Sequence, residues 1–193
     1  MMQPVKVLGL LGSLRPESRS RAALMLALKM SIQEGAEVAF FDPVAHPLPL
    51  CHGGDDYTSF PNVALLQKQA KAADAFILST PEYHGGMSGV LKNTLDLLGF
   101  DELAGKVFGA VSVLGGGQNA NALNDLRLVV RWVHGWMVPE QVAIGQAWKH
   151  FDAQDQLLDP QLEERLRALV RSVVAHARRL RQPLGASDLL QGP

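Results

Sequence analysis

The stretch Val5-Lys6-Val7-Leu8-Gly9-Leu10-Leu11 runs directly into Gly12-Ser13-Leu14-Arg15-Pro16-Glu17-Ser18-Arg19-Ser20, and an apolar-periodic run from Ala22 to Ile32 follows. A mostly apolar run of strand length predicts a parallel strand covered on both faces. The hydroxyl-rich loop behind it opens a helix. A helix N-terminus presents free N–H groups and the positive end of the dipole, which suit a phosphate. Ser13, Ser18 and Ser20 add hydroxyl donors, and Arg15 adds a charged fork. Arg19 lies in the same loop and counts as a further candidate contact. The same serines also suit a plain N-capped helix with Arg15 in solvent. Neither G-x-G-x-x-G nor a loop ending Gly-Lys-Ser/Thr occurs here, so a terminal monophosphate is the better match.

The 193 residues are 47% hydrophobic and 19% charged, enough for one domain with a sizeable core. We expect that domain over residues 1–182, with 183–193 a frayed tail. A net charge of −1 carries no nucleic-acid or polybasic membrane footprint. The single cysteine, Cys51, excludes an internal disulfide. No secretory leader pattern and no run of membrane-spanning length is visible, so a soluble, cytoplasmic protein is expected.

Further along, the pattern predicts a helix over Ser18–Gln33, with Leu24, Leu28 and Ile32 on one stripe. A strand follows at Glu37–Phe41, then a long loop rich in proline. Helix Asn62–Ala73 leads into strand Ala75–Ser79 and a loop over Thr80–Gly89. Helix Val90–Leu98, strand Lys106–Leu114, helix Ala120–Val133 and strand Gln141–Ile144 come next. Pro160–Leu180 is the closing helix, capped by Asp159. Strands alternating with helices give an α/β, doubly wound, five-stranded parallel sheet with helices on both faces. In the order 2-1-3-4-5, ligands bind beyond the carboxyl ends of strands one and three.

Three loops leave strand carboxyl ends there. The second is Pro81-Glu82-Tyr83-His84-Gly85-Gly86, where glycines allow close approach and Tyr83 can cover a flat ring. A turn with Tyr83 packed in the core is the alternative. The third is Gly115-Gly116-Gly117, either a second close approach or a surface turn. Lys92, Asn93 and Asp96 read as a polar helix face or a subunit contact. Trp132, Trp136 and Trp148 read as core residues or subunit-interface anchors, with the core as the preferred reading. The six histidines show no metal-ligand spacing, and His84 reads as a surface imidazole.

Taken together, these loops resemble the NADPH-dependent FMN reductase family, flavodoxin-like enzymes that include quinone, azo-dye and chromate reductases. Gly12-Ser13-Leu14-Arg15 with Ser18 and Ser20 is similar to the family's G-S-x-R-x-x-S-x-[NS]. Pro81-Glu82-Tyr83 through Gly89-Val90-Leu91-Lys92-Asn93-Thr94-Leu95-Asp96 is similar to its P-E-Y-N-x-S-x-P-G-x-L-K-N-x-I-D. The chain departs from that pattern at His84 (Asn), Gly86 (Ser) and Ser88 (Pro). The resemblance implies FMN as cofactor and NAD(P)H as co-substrate. It places the phosphate on Ser13, Arg15, Ser18 and Ser20, and the ring against Pro81, Glu82, Tyr83, His84 and Gly85, with Gly115, Gly116 and Gly117 on its pyrimidine side. It further implies a ping-pong reductase of quinones, flavins or similar acceptors, acting as a homodimer or homotetramer. A flavodoxin-type electron carrier and a flavin-free nucleotide- or sugar-phosphate enzyme are the rival readings.

Overall fold

The computed structural model describes residues 3–54, 56–117 and 120–181. The expected tail at 183–193 lies outside the described residues. The elements run β1 (Lys6–Leu11), α1 (Arg19–Gln33), β2 (Glu37–Phe41), α2 (Pro61–Ala72), β3 (Ala75–Tyr83), β4 (Gly86–Met87), α3 (Gly89–Asp96) and α4 (Phe100–Leu103). They continue through β5 (Val107–Val113), α5 (Asn121–Trp132), β6 (Trp136–Met137), β7 (Val142–Ile144), a 3₁₀ turn (Ala147–Lys149) and α6 (Pro160–Leu180). No helix among the described residues is long and apolar enough to cross a membrane.

The sheet runs β2-β1-β3-β5, with β6 and β7 both parallel to β5 along its far edge. The fifth position of the expected order is thus split between two short strands. The split has a local cause. Val138 still donates to the Phe108 carbonyl at 2.9 Å, but Pro139 has no N–H to continue the ladder. A further short strand corrects the expected loop at Thr80–Gly89. β3 runs on to Tyr83, and β4 pairs back on it antiparallel through Glu82 with Met87 and Tyr83 with Gly86. His84 and Gly85 turn the corner with φ of 52° and 80°, the positive pair that a tight two-residue hairpin requires. Among the described residues the sheet therefore has seven strands rather than five, while the flavodoxin-like order holds.

Alternation along the strands divides the core. Val5, Val7 and Leu11 of the first strand region pack with α1 and α6 on one face. Leu8 and Leu10 pack with α2, α3 and α5 on the other. Ser18 caps α1 by accepting from the Arg21 N–H at 3.3 Å. Leu24 and Leu28 of the predicted stripe are buried, but Ile32 is exposed: at about 100° per residue an i, i+4 row drifts around the helix, and Met30 and Ser31 face the core in that turn instead. Helix α6 has the predicted bounds, with Asp159 accepting from Gln161 at 2.8 Å. The tryptophans overturn expectation: Trp132, Trp136 and Trp148 are 74%, 61% and 67% exposed. Smaller aliphatic and Phe side chains already fill both cores.

Helix α1 is tied to the end of β2 by Arg21, whose two terminal nitrogens reach the Asp42 carboxylate at 2.7 and 2.8 Å. That hydrogen bonding holds the Asp42 carboxyl below its ordinary range. A depressed folded-state value means the stabilisation is present above the unfolded value, about pH 4, and is lost as pH falls through the folded one. Asp42→Asn is expected to lower stability by about 1 kcal/mol at pH 7, with the deficit closing toward pH 3, as read by urea denaturation.

Candidate functional site

Strand β1 ends at a point where nothing larger than glycine fits. The Gly12 N–H donates to the Ser79 carbonyl at 2.7 Å, and its own carbonyl accepts from the Ser88 hydroxyl at 2.6 Å. A Cβ on Gly12 would lie 2.7 Å from Ser88 Oγ and 2.9 Å from both Leu91 Cβ and Thr80 Oγ1. Ser88 also caps α3 by accepting from Leu91 at 3.2 Å, and its N–H reaches Thr80 Oγ1 at 3.0 Å. The departure at Ser88 therefore has a structural use: one hydroxyl locks the end of β1, the end of β3 and the start of α3 together.

From that junction the loop rises over the sheet. Ser13, Ser18 and Ser20 are buried, and Ser13 Oγ accepts from the Arg15 N–H at 3.3 Å, which sets the turn. Ser18 serves as helix cap with its oxygen and keeps its hydroxyl proton to donate. The Arg15 guanidinium is exposed and makes no ion pair among the described residues. Arg19 differs: it pairs with Asp155, donates to the Asp152 carbonyl at 3.4 Å, and lies 5.5 Å over the Phe151 ring.

Across the crevice, the extension of β3 is held against α5 by two carboxylates. Glu82, only 5% exposed, accepts from the Ala122 N–H at 3.2 Å with Oε2 and so caps a helix whose own N-cap, Ala120, has no side-chain acceptor. Its other oxygen is buried without a hydrogen-bond partner among the described residues. Asp125 accepts from the Met87 N–H at 3.4 Å. The third loop is open: a Cβ on Gly115, Gly116 or Gly117 would meet nothing within 4 Å. The Gly116 carbonyl accepts from Gln146 at 2.6 Å, which brings the segment after β7 to the same end of the sheet.

One cavity of about 670 Å³ joins these parts, within the range of cofactor sites. Its wall holds Ser13, Arg15, Ser18, Arg19 and Ser20 on one side and Pro81, Glu82, Tyr83 and Gly115 on the other. His84 and Gly85 form the hairpin turn beyond that wall, and Gly116 and Gly117 continue the loop past it. Tyr83 is exposed rather than packed in the core. Trp148 and Asp155 line the cavity too. Sequence reasoning missed both, because no local pattern announces that the segment after β7 crosses the start of α1. Among the described residues, no three His, Cys, Asp or Glu side chains converge as for a metal.

The polar face of α3 is resolved in part. Lys92 and Asp96 pair with each other at 2.6 Å. Asn93 instead fastens the long loop, accepting from Cys51 N–H at 2.8 Å and donating to the Pro49 carbonyl at 2.9 Å.

Hydroxyls, helix N–H groups and the exposed Arg15 at one end, with an exposed aromatic and an unobstructed glycine loop at the other, fit an elongated ligand with a phosphate and a flat ring. Solved structures share the fold. A flavoenzyme NAD(P)H:(acceptor) oxidoreductase from Paracoccus denitrificans aligns with a TM-score of 0.74 at 21% identity, covering 91% of this chain and 98% of its own. An archaeal flavodoxin aligns at 0.61 and 10%, covering 91% and 99%. The architecture and the cavity at its switch point thus define a flavodoxin-like protein. More narrowly, the chain belongs to the NADPH-dependent FMN reductase family, which matches residues 5–149. It is accordingly an FMN-dependent oxidoreductase that uses NAD(P)H. An NAD(P)H-dependent FMN reductase of Pseudomonas aeruginosa is 34% identical over 189 residues, 94% of this chain and 100% of that one. The NADPH-dependent FMN reductase ArsH of Shigella flexneri is 33% identical over 176 residues, 89% of this chain and 68% of its own length. The chain spans 63% of the counterpart from Acidithiobacillus ferrooxidans. An FMN-dependent NADPH-azoreductase of Staphylococcus aureus is 38% identical over 116 residues, 59% and 62% of the two chains.

Because Gly12 is hemmed in by Ser88, Thr80 and Leu91, Gly12→Ala is expected to cost about 1–3 kcal/mol of stability. It is also expected to weaken FMN binding; thermal melts and flavin fluorescence titration check the two effects.

Proposed function

We propose that the cavity seats FMN with its phosphate on Ser13, Arg15, Ser18 and Ser20 and its ring along Pro81, Glu82, Tyr83 and Gly115. The observation that supports this reading is that a single cavity collects three loops separated by up to 102 positions from Ser13 to Gly115. Bound FMN supplies two-electron hydride chemistry that the side chains lack. The serine hydroxyls and the first N–H groups of α1 donate to the phosphate. Arg15 supplies the charge. Tyr83, exposed at the rim, covers one edge of the ring and leaves the open glycine side for a second molecule. In this reading NAD(P)H and the acceptor use that side in turn, which gives ping-pong kinetics and needs no dedicated acid or base. The acceptor class is a quinone, a free flavin or an azo compound. A reducing compartment, the cytoplasm, suits the single cysteine.

A homodimer belongs to the same proposal. Between α3 and α5 an apolar groove of about 520 Å³ is lined by Leu95, Phe100, Leu128 and Trp132, of which the last three are exposed. An apolar patch of that kind on a soluble protein marks an association surface. Trp132→Glu is expected to convert the dimer to a monomer in light scattering; an unchanged mass sets this surface aside.

Arg15→Ala is expected to weaken FMN binding about tenfold or more while leaving riboflavin, which has no phosphate, unaffected. Equal FMN affinity in the variant overturns the phosphate assignment. Initial rates of NADPH oxidation with a quinone are expected to give parallel double-reciprocal lines. Intersecting lines overturn the alternation, and no turnover at all favours an electron carrier.

A further inference from the structure

Arg19 stands at the first position of α1 and in the cavity wall beside the serines, yet its charge is already answered. One terminal nitrogen serves both the Asp155 carboxylate and the Asp152 carbonyl. Its remaining N–H groups have no acceptor among the described residues. Asp155 lines the same cavity, so a phosphate dianion entering there meets a fixed carboxylate as well as a guanidinium.

We propose that Asp155 is an internal counter-anion that competes with the cofactor's phosphate for Arg19 and thereby holds FMN affinity below what the loop alone would reach. The proposal rests on the reading that the phosphate binds at Ser13–Ser20. Two observations separate it from a purely structural latch. First, the loop carrying Asp155 is built without the pair. Asp152 Oδ1 accepts from Gln154 and Gln156 N–H, each at 2.8 Å, and Phe151 bridges Leu157. Second, Arg19 has other supports, the Phe151 ring and the Asp152 carbonyl, so its position outlasts the loss of Asp155. What Asp155 alone contributes is charge. It does so from a left-handed backbone with φ 58°, a conformation that aspartate and asparagine tolerate better than most residues and that glycine adopts freely. The pair is partly open to solvent, with side chains 37% and 62% exposed, which keeps the effect moderate. An affinity restrained in this way lets FMN exchange with the free pool.

The test titrates FMN and riboflavin into the apoprotein at low ionic strength. Asp155→Asn keeps shape and backbone tolerance while removing charge, and Asp155→Gly is the second variant should the first disturb the loop. Both are expected to bind FMN about two- to fivefold more tightly, with riboflavin unchanged. The gain is expected to shrink in 0.5 M salt and in an Arg19→Ala background. Unchanged or weaker FMN binding, or an equal change for riboflavin, overturns the proposal. Arg15→Ala run alongside separates the two failures: if it weakens FMN while Asp155→Asn brings no gain, only the role of Asp155 is wrong. If neither Arg15→Ala nor Arg19→Ala affects FMN, the phosphate seat itself is misplaced and the proposal falls with it.

Discussion

The close crossing at Gly12 is the constraint on which the site depends. Strand β1 must end against Ser79 and Thr80 of β3 and under Ser88 at the start of α3, with hydrogen bonds of 2.7 Å and 2.6 Å on its two sides. Because no Cβ fits there, the chain leaves the sheet at one fixed height and direction. The following six residues can then climb to the N-terminus of α1 with the serines facing the crevice. Any shift of that crossing would move the hydroxyls relative to β3, and the two walls of the cavity would no longer face each other. Burial makes the contact demanding: Ser88, Thr80 and Leu91 lie in the interior and cannot swing out to make room without leaving polar groups unpaired.

The opposite wall is held by a different device. A hairpin with a two-residue turn carries Tyr83 at its rim, and it is fastened to the first turns of α5 by Glu82 and Asp125. Carboxylates near the start of a helix lie at the positive end of its dipole, and Glu82 also answers the free Ala122 N–H, while Asp125 reaches back to the Met87 N–H of β4. Here they also couple the hairpin to the helix that follows the glycine loop. The two walls themselves meet directly below the cavity, where the Ser79 hydroxyl donates to the Ser20 carbonyl at 2.8 Å.

Much of this was legible in the chain. The strand-loop-helix run at Val5–Ile32 gave the parallel start, and one of the serines read as suited to a helix cap, Ser18, caps α1. The two readings of that loop, helix cap and phosphate seat, proved compatible, since a capping oxygen still leaves a hydroxyl proton free. Asp159 and Pro160 marked the start of α6 to the residue. The hairpin at His84–Gly85 was hidden, because glycine adjacent to histidine does not by itself distinguish a positive-φ turn from an open loop. The split edge strand was hidden too, since two-residue strands carry no periodicity. Of the two places open to the tryptophans, core or subunit interface, the core was preferred, yet all three are exposed and both cores are built from aliphatic and Phe side chains.

Sequence by itself determined the alternation of strands and helices, the switch-point loops and the residue types available there. Those follow from local rules: apolar runs, caps and turn chemistry act within a few residues. It could not determine that the segment after β7 crosses the start of α1, bringing Trp148 and Asp155 to the cavity. Nor could it show that Arg19, alike in type to Arg15 and four residues away, is paired with Asp155 while Arg15 makes no ion pair among the described residues. Such outcomes depend on distances between residues more than 130 positions apart, and only the packing of α1 and α6 on the same face of the sheet sets those distances.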